Sequence, residues 1–316
     1  MRDILERHQI TIYLAAVALA AVVGLVLPDA QALTLAVNPA LAIMLFVTFL
    51  QVPLARIGDG LRQPRFLGAL MVANFLVVPL LVAILMVVAP ADPLIRLGIL
   101  MVLLTPCIDY VITFTHLGGG DARRLLGATP LLLVVQMVAL PVYLGLFLGD
   151  AAGLVRAGPF LHAFLWLIAA PLICAGVVQA WANRRPTGRH VADILGVLSV
   201  PATAAVLAIV VASTVPVLGA AGPQVLWALP VYLAFGGIAP LIGWAVARAF
   251  GLAAPVGRAV AFSAATRNSL VVLPLALAVP GAAPILPAII VAQTLVELAF
   301  QLVYIRLIPR LGARAA

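Results

Sequence analysis

Ten apolar runs dominate the sequence, and each is long enough to cross the hydrocarbon core of a bilayer as a helix. With 65% hydrophobic and 9% charged residues and a mean hydropathy of +1.24, the chain is too apolar for a soluble protein. We therefore predict an all-α integral membrane protein with ten transmembrane helices, forming one transporter domain over residues 1–316. The predicted spans cover residues 10–28, 33–54, 66–89, 94–117, 125–149, 158–182, 194–218, 224–250, 256–279 and 284–308.

Arginine placement predicts the orientation of these spans. All 18 basic residues are arginines, which stand singly or in pairs between apolar runs. This pattern suits loops that face an anionic membrane surface and does not suit a nucleic-acid groove. Fifteen arginines lie in the two termini and the loops after even-numbered spans, and two, Arg96 and Arg156, lie on the other side. The positive-inside rule then places both termini in the cytoplasm of a protein of the cell inner membrane.

Charged residues inside three of the spans indicate where the function lies. Asp109 is in span four, Arg267 in span nine and Glu297 in span ten. Intramembrane charges are costly and commonly mark ion or substrate pathways. Pro106 breaks the helix beside Asp109, and the polar cluster at 263–269 surrounds Arg267. We therefore predict broken helices in spans four and nine, which is how many secondary transporters build a site at the bilayer midplane.

An internal repeat relates these places. The segment 129–136, which contains Thr129-Pro130 and ends at Gln136, resembles 286–293, which ends at Gln293, with an offset of 157 residues. The same offset aligns Asp109 with Thr266 and Tyr110 with Arg267. Because five spans per copy is an odd number, the second copy must be inverted. We predict two inverted five-helix repeats, about 1–157 and about 158–316, with spans four and nine crossing.

Three short motifs resemble those of the arsenite efflux permeases, which belong to the bile acid:sodium symporter superfamily. The segment 105–111, Thr-Pro-Cys-Ile-Asp-Tyr-Val, followed by Phe114-Thr115, is similar to the Pro-Cys motif in the fourth span of that family. Asn268 is similar to an asparagine in its ninth span, and Val296-Glu297-Leu298 to a Val-Glu pair in its tenth. The resemblance implies a core of spans 3–5 and 8–10 that moves against a panel of spans 1, 2, 6 and 7.

The chain departs from these relatives at two positions. Val271 stands where the permeases carry a glutamate, three residues beyond the ninth-span asparagine. Symporters of the superfamily hold sodium with acidic and amide side chains near the crossing, where this chain has Arg267. We interpret Arg267 as a tethered cation in the place of a bound ion, because a guanidinium is rigid and permanently charged.

Each remaining candidate residue has a structural interpretation beside its functional one. Asp109 is either a proton carrier or the ion-pair partner of Arg267, and Glu297 relays protons or hydrogen-bonds across helices. Cys107 is either a packing residue or a soft ligand for trivalent arsenic; Cys174 is interpreted as packing. Gln136 and Gln293 are interpreted as interhelical hydrogen-bonding groups. The candidate substrate- or ion-binding set is Cys107, Asp109, Thr266, Arg267, Asn268 and Glu297, with no metal or cofactor expected.

The function predicted from these features is proton-coupled efflux of arsenite or a similar small metalloid, by an antiporter and not an enzyme. Its partners would be that solute, a coupling ion and the bilayer. The first alternative is a sodium- or proton-coupled organic anion symporter, in which Arg267 is the counter-charge of the substrate. The second is an intramembrane enzyme acting on a lipid, with Asp109 or His116 as the base. The sequence disfavours this enzyme, because it lacks a paired His/Asp or metal-ligand cluster in facing spans.

Overall fold

The computed structural model describes residues 2–51, 63–108, 110–149, 157–279, 281 and 285–312, and over these residues the fold is helical without β-strands. The helices are α1 Arg2–Val26, α2 Thr34–Gln51, α3 Pro64–Val88, α4 Pro93–Leu103, α5 Val111–Leu117, α6 Ala122–Leu148, α7 Ala157–Arg184, α8 Pro186–Val197, α9 Ser199–Ala249, α10 Ala254–Ala265, α11 Ser269–Leu277 and α12 Ile285–Leu307. Helix α3 contains a π-helical turn at Ala73–Val77.

Seven helical segments in the described part of the chain are long and apolar enough to cross a membrane. They coincide with predicted spans 2, 3, 5, 6, 7, 8 and 10. The apolar part of α1 is shorter, Thr11–Val26. Predicted spans four and nine are each divided into two shorter helices, α4 with α5 and α10 with α11. The structure confirms an all-α membrane protein.

Two predicted loops are wrong in detail. The segment between predicted spans seven and eight, residues 219–223, is part of the continuous helix α9. A helix satisfies its own backbone hydrogen bonds, and here this outweighs the helix-breaking tendency of the two glycines and of Pro223. Residues 186–193 were expected in a loop and instead begin the helix α8, in which Pro186 takes the first position, where a proline is well tolerated.

The chain divides into two compact units. Unit 1 contains Met1–Gln51, Leu154–Pro223 and Leu273–Val291; unit 2 contains Val52–Gly153, Gln224–Val272 and Ala292–Ala316. Unit 1 holds predicted spans 1, 2, 6 and 7, and unit 2 holds spans 3, 4, 5 and 8. This division follows the panel and core that the resemblance implies, except that spans nine and ten are shared between the units. Every residue of the site described below belongs to unit 2.

A close approach in unit 2 fixes the turn between α5 and α6. A Cβ added to Gly118 would overlap the ring of Phe262 in α10. Gly119 has φ +64°, a left-handed conformation that favours glycine, and its carbonyl accepts a hydrogen bond from Arg258 Nη1 at 3.2 Å. Asp121 caps α6 by accepting a hydrogen bond from the Arg124 N–H at 3.1 Å. The triple glycine is thus a packed turn.

Substitution of Gly118 by alanine is expected to lower the free energy of unfolding by about 1–3 kcal/mol, because the Phe262 ring must move. Gly127→Ala in α6 is the matched control. A Cβ at Gly127 meets nothing within 4 Å, so this helical alanine should stabilise the protein by about 0.5–1 kcal/mol. Thermal unfolding in detergent measures both variants. Equal stability of the two would contradict the tight packing of this turn.

Candidate functional site

Two helix breaks in unit 2 form the centre of the candidate site. Helix α4 ends at Leu103 and α5 begins at Val111, on either side of Pro106. Helix α10 ends at Ala265 and α11 begins at Ser269. The predicted interruptions near Pro106 and near Thr266–Asn268 are therefore confirmed. The Thr105 hydroxyl donates to the Met101 carbonyl at 2.9 Å, which satisfies one of the carbonyls at the end of α4.

The two breaks pair with each other through their backbones. Pro106 and Arg267 form an isolated antiparallel bridge, in which the Cys107 N–H donates to the Thr266 carbonyl at 3.0 Å and the Asn268 N–H donates to the Thr105 carbonyl at 2.9 Å. All of these residues are buried. Extended backbone is tolerated at membrane depth only where protein buries it or a cavity hydrates it, and here each break satisfies the other.

The Arg267 guanidinium is fully buried within a set of four oxygen atoms, which we call the oxygen cage. Its Nη2 donates to Asn74 Oδ1 at 2.9 Å and to the Ser263 and Ala264 carbonyls, both at 2.6 Å. Nη1 donates to the Leu103 carbonyl at 3.3 Å. The guanidinium carbon lies 5.5 Å from the centre of the Phe235 ring, a cation–π distance. The cage holds this cation largely with oxygens from the ends of two broken helices.

Asn74 was missed as a site residue by the sequence analysis. It lies in the π-helical turn of α3, and such turns are frequent at functional sites. Its Nδ2 donates to Ser263 Oγ at 2.9 Å and to the Leu70 carbonyl at 3.1 Å, which orients Oδ1 toward Arg267. The sequence feature that could have identified this residue is that Asn74 is the one strongly polar residue in the apolar run 66–89. A lone amide in a membrane span is expected to hydrogen-bond across helices.

Glu297 lies on α12 beside the paired breaks and accepts three hydrogen bonds. Oε1 accepts from the Tyr110 hydroxyl at 2.6 Å. Oε2 accepts from the Arg267 N–H at 2.8 Å and from Gln293 Nε2 at 2.7 Å. Three donors directed at one buried carboxyl group suit its ionised form. The Tyr110 hydroxyl also lies 3.2 Å from the Arg267 carbonyl, so this hydroxyl has a second acceptor when Glu297 carries a proton.

The other predicted residues at the breaks are also buried. Thr266 donates its hydroxyl to the Phe262 carbonyl at 2.7 Å and accepts from Gln301 Nε2 at 2.8 Å. Asn268 Nδ2 is buried and has no hydrogen-bond partner among the described residues. Cys107 is fully buried as a thiol. Asp109 lies outside the described residues, so its ion pair with Arg267 stays a prediction.

Three interpretations of single residues are wrong. Gln293 donates to Glu297 four residues along its own helix and not across helices, because the carboxylate on the next turn is its nearest strong acceptor. Gln136 is fully buried, yet neither atom of its amide has a partner in the described part of the chain. Cys174 is exposed on α7 and is not a packing residue, because it lies on the same helix face as Ile173 and Val177, which are also exposed.

A comparison with known families decides the identity at the family level. A family model described as the Sodium Bile acid symporter family matches residues 38–220, more than half of the chain. The chain belongs to the sodium bile acid symporter family. No curated protein matches the sequence. Members of the sodium bile acid symporter family are transporters that couple a small-molecule substrate to an ion, sodium in that family. The superfamily named by the resemblance is confirmed, and its arsenite branch stays a prediction.

A small pocket opens beside Glu297 in this member of the sodium bile acid symporter family. We call it the aromatic pocket because Tyr232, Phe235, Phe300 and Tyr304 line it together with Gln293 and Glu297. Its volume of about 10 Å³ is about the least that holds one water molecule. Cys107 is not among the residues that line this pocket. The pocket therefore has room for about one water molecule.

Proposed function

We propose that the protein is a secondary transporter of the cell inner membrane that exports arsenite or a similar small metalloid, coupled to protons instead of sodium. The observation that carries the proposal is the oxygen cage around Arg267. Carbonyls at the ends of broken helices are the groups with which many transporters coordinate sodium. In this protein a guanidinium that cannot lose its charge under physiological conditions already occupies such a set of carbonyls.

Glu297 supports proton coupling. It is a buried carboxyl group in hydrogen-bond contact with the backbone of Arg267, so a change in its protonation acts directly on the paired breaks. Its partner Tyr110 can donate either to Glu297 or to the Arg267 carbonyl. We propose Glu297 as a proton carrier, with Asp109 as a second carrier or as a further partner of Arg267.

The paired breaks also support the proposed two inverted repeats, and the arginine distribution supports the proposed cytoplasmic termini. The proposed ten spans rest on the sequence, since α9 runs through residues 219–223 without a turn. In an inverted repeat, a two-fold axis through the bridge relates its two central residues. Pro106 would then be the equivalent of Arg267. The sequence offset of 157 instead makes Tyr110, one helical turn after Pro106, the equivalent of Arg267. The equivalence from the bridge and the equivalence from the sequence offset therefore differ by four residues.

The position of Cys107 bears on the substrate. Cys107 is paired through its backbone to Thr266 at the bridge, so motion of the two breaks would carry the thiol with it. We propose Cys107 as a soft ligand for trivalent arsenic during transport.

The second candidate function is sodium-coupled symport of an organic anion, which the family membership favours. In that case Arg267 would be the counter-charge of the substrate. The hydrogen bonds of Arg267 weigh against this role, because both terminal nitrogens already donate to oxygens of the cage. Nε has no partner among the described residues, and Nη1 uses one of its two N–H groups, so only two of the five N–H groups remain for an anion.

Transport by the purified protein in proteoliposomes tests the proposal. Arsenite movement is expected to respond to an imposed pH gradient and to stay unchanged when choline replaces sodium. Liposomes without protein give the background, and taurocholate uptake under a sodium gradient tests the second candidate. A steep sodium dependence of arsenite transport would overturn proton coupling. Sodium-driven taurocholate uptake without arsenite transport would favour the symporter.

A further inference from the structure

The π-helical turn of α3 lies directly before a proline. In an α-helix the N–H of residue 79 would donate to the Phe75 carbonyl, but Pro79 has no N–H group. The π turn Ala73–Val77 contains that carbonyl. Proline permits such a turn without enforcing it, because Pro130 and Pro141 lie inside α6 and no π turn accompanies them. Another group is therefore expected to stabilise the turn in α3.

Tyr143 on α6 supplies a donor to this carbonyl. Its hydroxyl donates to the Phe75 carbonyl at 2.6 Å. A carbonyl that a proline deprives of its donor at membrane depth needs a new one, and neighbouring helices commonly provide it. The two residues are 68 positions apart in the sequence, and both belong to unit 2. The bond is thus a tertiary contact that links α6 to the π turn of α3.

The π turn sets the direction of the Asn74 amide. Asn74 Nδ2 donates to the Leu70 carbonyl, one turn earlier in α3, and to Ser263 Oγ on α10, while Oδ1 accepts from Arg267. Each residue turns an α-helix by about 100°. Loss of the extra residue in the π turn would therefore rotate the two parts of α3 against each other by about that angle. The amide is then expected to lose its alignment with Ser263 and Arg267.

We propose that Tyr143 is a positioning residue of the oxygen cage. Its hydroxyl stabilises the π turn of α3, and the π turn holds Asn74 Oδ1 on the Arg267 guanidinium. The contact makes the oxygen cage dependent on the position of α6, because a displacement of α6 from α3 breaks the Tyr143 bond. This role does not rest on the proposed substrate or on the proposed coupling ion.

Tyr143→Phe tests this proposal, because it removes the hydroxyl and keeps the ring. Tyr143 is half-buried, so the variant is expected to fold. The matched control is Ser213→Ala, which also removes a hydroxyl donor to a backbone carbonyl, here that of Val210 at 3.0 Å in unit 1. Replacement of Tyr143 by 4-aminophenylalanine restores a donor at the same place. Each variant is compared with the wild type in nanodiscs at equal amounts of folded protein.

The first arm records the side-chain amide protons of Asn74 by NMR, in protein labelled with ¹⁵N at asparagine. The signals that Asn74→Leu removes belong to Asn74. Their exchange with water is expected to be about tenfold faster in Tyr143→Phe, and to stay at the wild-type rate in Ser213→Ala and with 4-aminophenylalanine. Wild-type exchange and chemical shifts in Tyr143→Phe would overturn the proposal. Equal acceleration in Ser213→Ala would also overturn it, because the effect would then be a general loss of stability.

The second arm measures the sodium dependence of the unfolding temperature, and it rests on the proposal that Arg267 replaces a bound cation. Arg267→Ala removes the guanidinium from the oxygen cage, and sodium should then stabilise the protein. Adding Tyr143→Phe is expected to raise the sodium concentration for half of this stabilisation about fivefold, because Asn74 Oδ1 is one of the four cage oxygens. Adding Ser213→Ala should leave that concentration unchanged.

The two arms separate the failure of each proposal. If sodium does not stabilise Arg267→Ala, the cation proposal fails, and the NMR arm alone decides the role of Tyr143. If sodium stabilises Arg267→Ala equally with and without Tyr143→Phe, Tyr143 does not position the cage, and the inference is wrong while the cation proposal stands.

Discussion

Arg267→Leu is expected to destabilise the protein by about 3–5 kcal/mol, the cost of removing one member of a buried charged network. Leucine fills part of the volume but donates no hydrogen bond. Asn74 Oδ1 and the three carbonyls of the oxygen cage then lose the donor that satisfies them. The Glu297 carboxylate also loses the nearby positive charge. Chemical or thermal unfolding in detergent measures the loss.

The control for this variant is Arg306→Leu, which removes an exposed arginine on α12 and should change the stability by less than about 0.5 kcal/mol. A second comparison adds Glu297→Gln. Because the two residues share one network, the double variant should lose less stability than the sum of the single variants. A loss of less than about 1 kcal/mol in Arg267→Leu would mean that the guanidinium does not satisfy the cage.

Glu297→Gln is expected to abolish pH-driven net transport while leaving exchange of substrate for substrate. The amide keeps the shape of the carboxyl group but cannot bind and release a proton. At least one of the three donors that face Glu297, from Tyr110, Arg267 and Gln293, will meet an N–H group instead of an oxygen. The free energy of unfolding should therefore fall by about 1–3 kcal/mol.

Counterflow and pH-jump transport in the same proteoliposomes separate these two activities. Asp193→Asn, at an exposed carboxylate on α8, is the control and should keep both. If net transport by the Glu297→Gln variant still follows the pH gradient, Glu297 is not the proton carrier. Loss of both activities at full stability would point to substrate binding as its main role.

The positions of the breaks could be predicted because local chemistry fixes them. Pro106 cannot continue a helix, and a polar cluster around Arg267 cannot face lipid, so each interruption could be inferred within its own span. Glu297 stood out for the same reason, as a charge inside an apolar run. These features depend on a few neighbouring residues and need no knowledge of the tertiary packing.

The partners of these residues could not be predicted, since packing between helices selects them. Asn74 reaches Arg267 because a π-helical turn in α3 and a bond to Ser263 orient its amide, and neither feature has a sequence signal. Gln136 and Gln293 align in the repeat, yet one lacks a partner among the described residues and the other bonds within its helix. The continuous helix α9 likewise depends on its surroundings.

The most direct test of the central claim, that Arg267 takes the place of a bound cation, is the unfolding temperature in sodium chloride and in choline chloride. A ligand stabilises the folded state according to its concentration relative to its dissociation constant. The wild type should unfold at the same temperature in both salts, because the guanidinium already fills the cage. Arg267→Ala, which empties the cage, should be stabilised by sodium and not by choline. Sodium-specific stabilisation of the wild type, or none in folded Arg267→Ala, would contradict the claim.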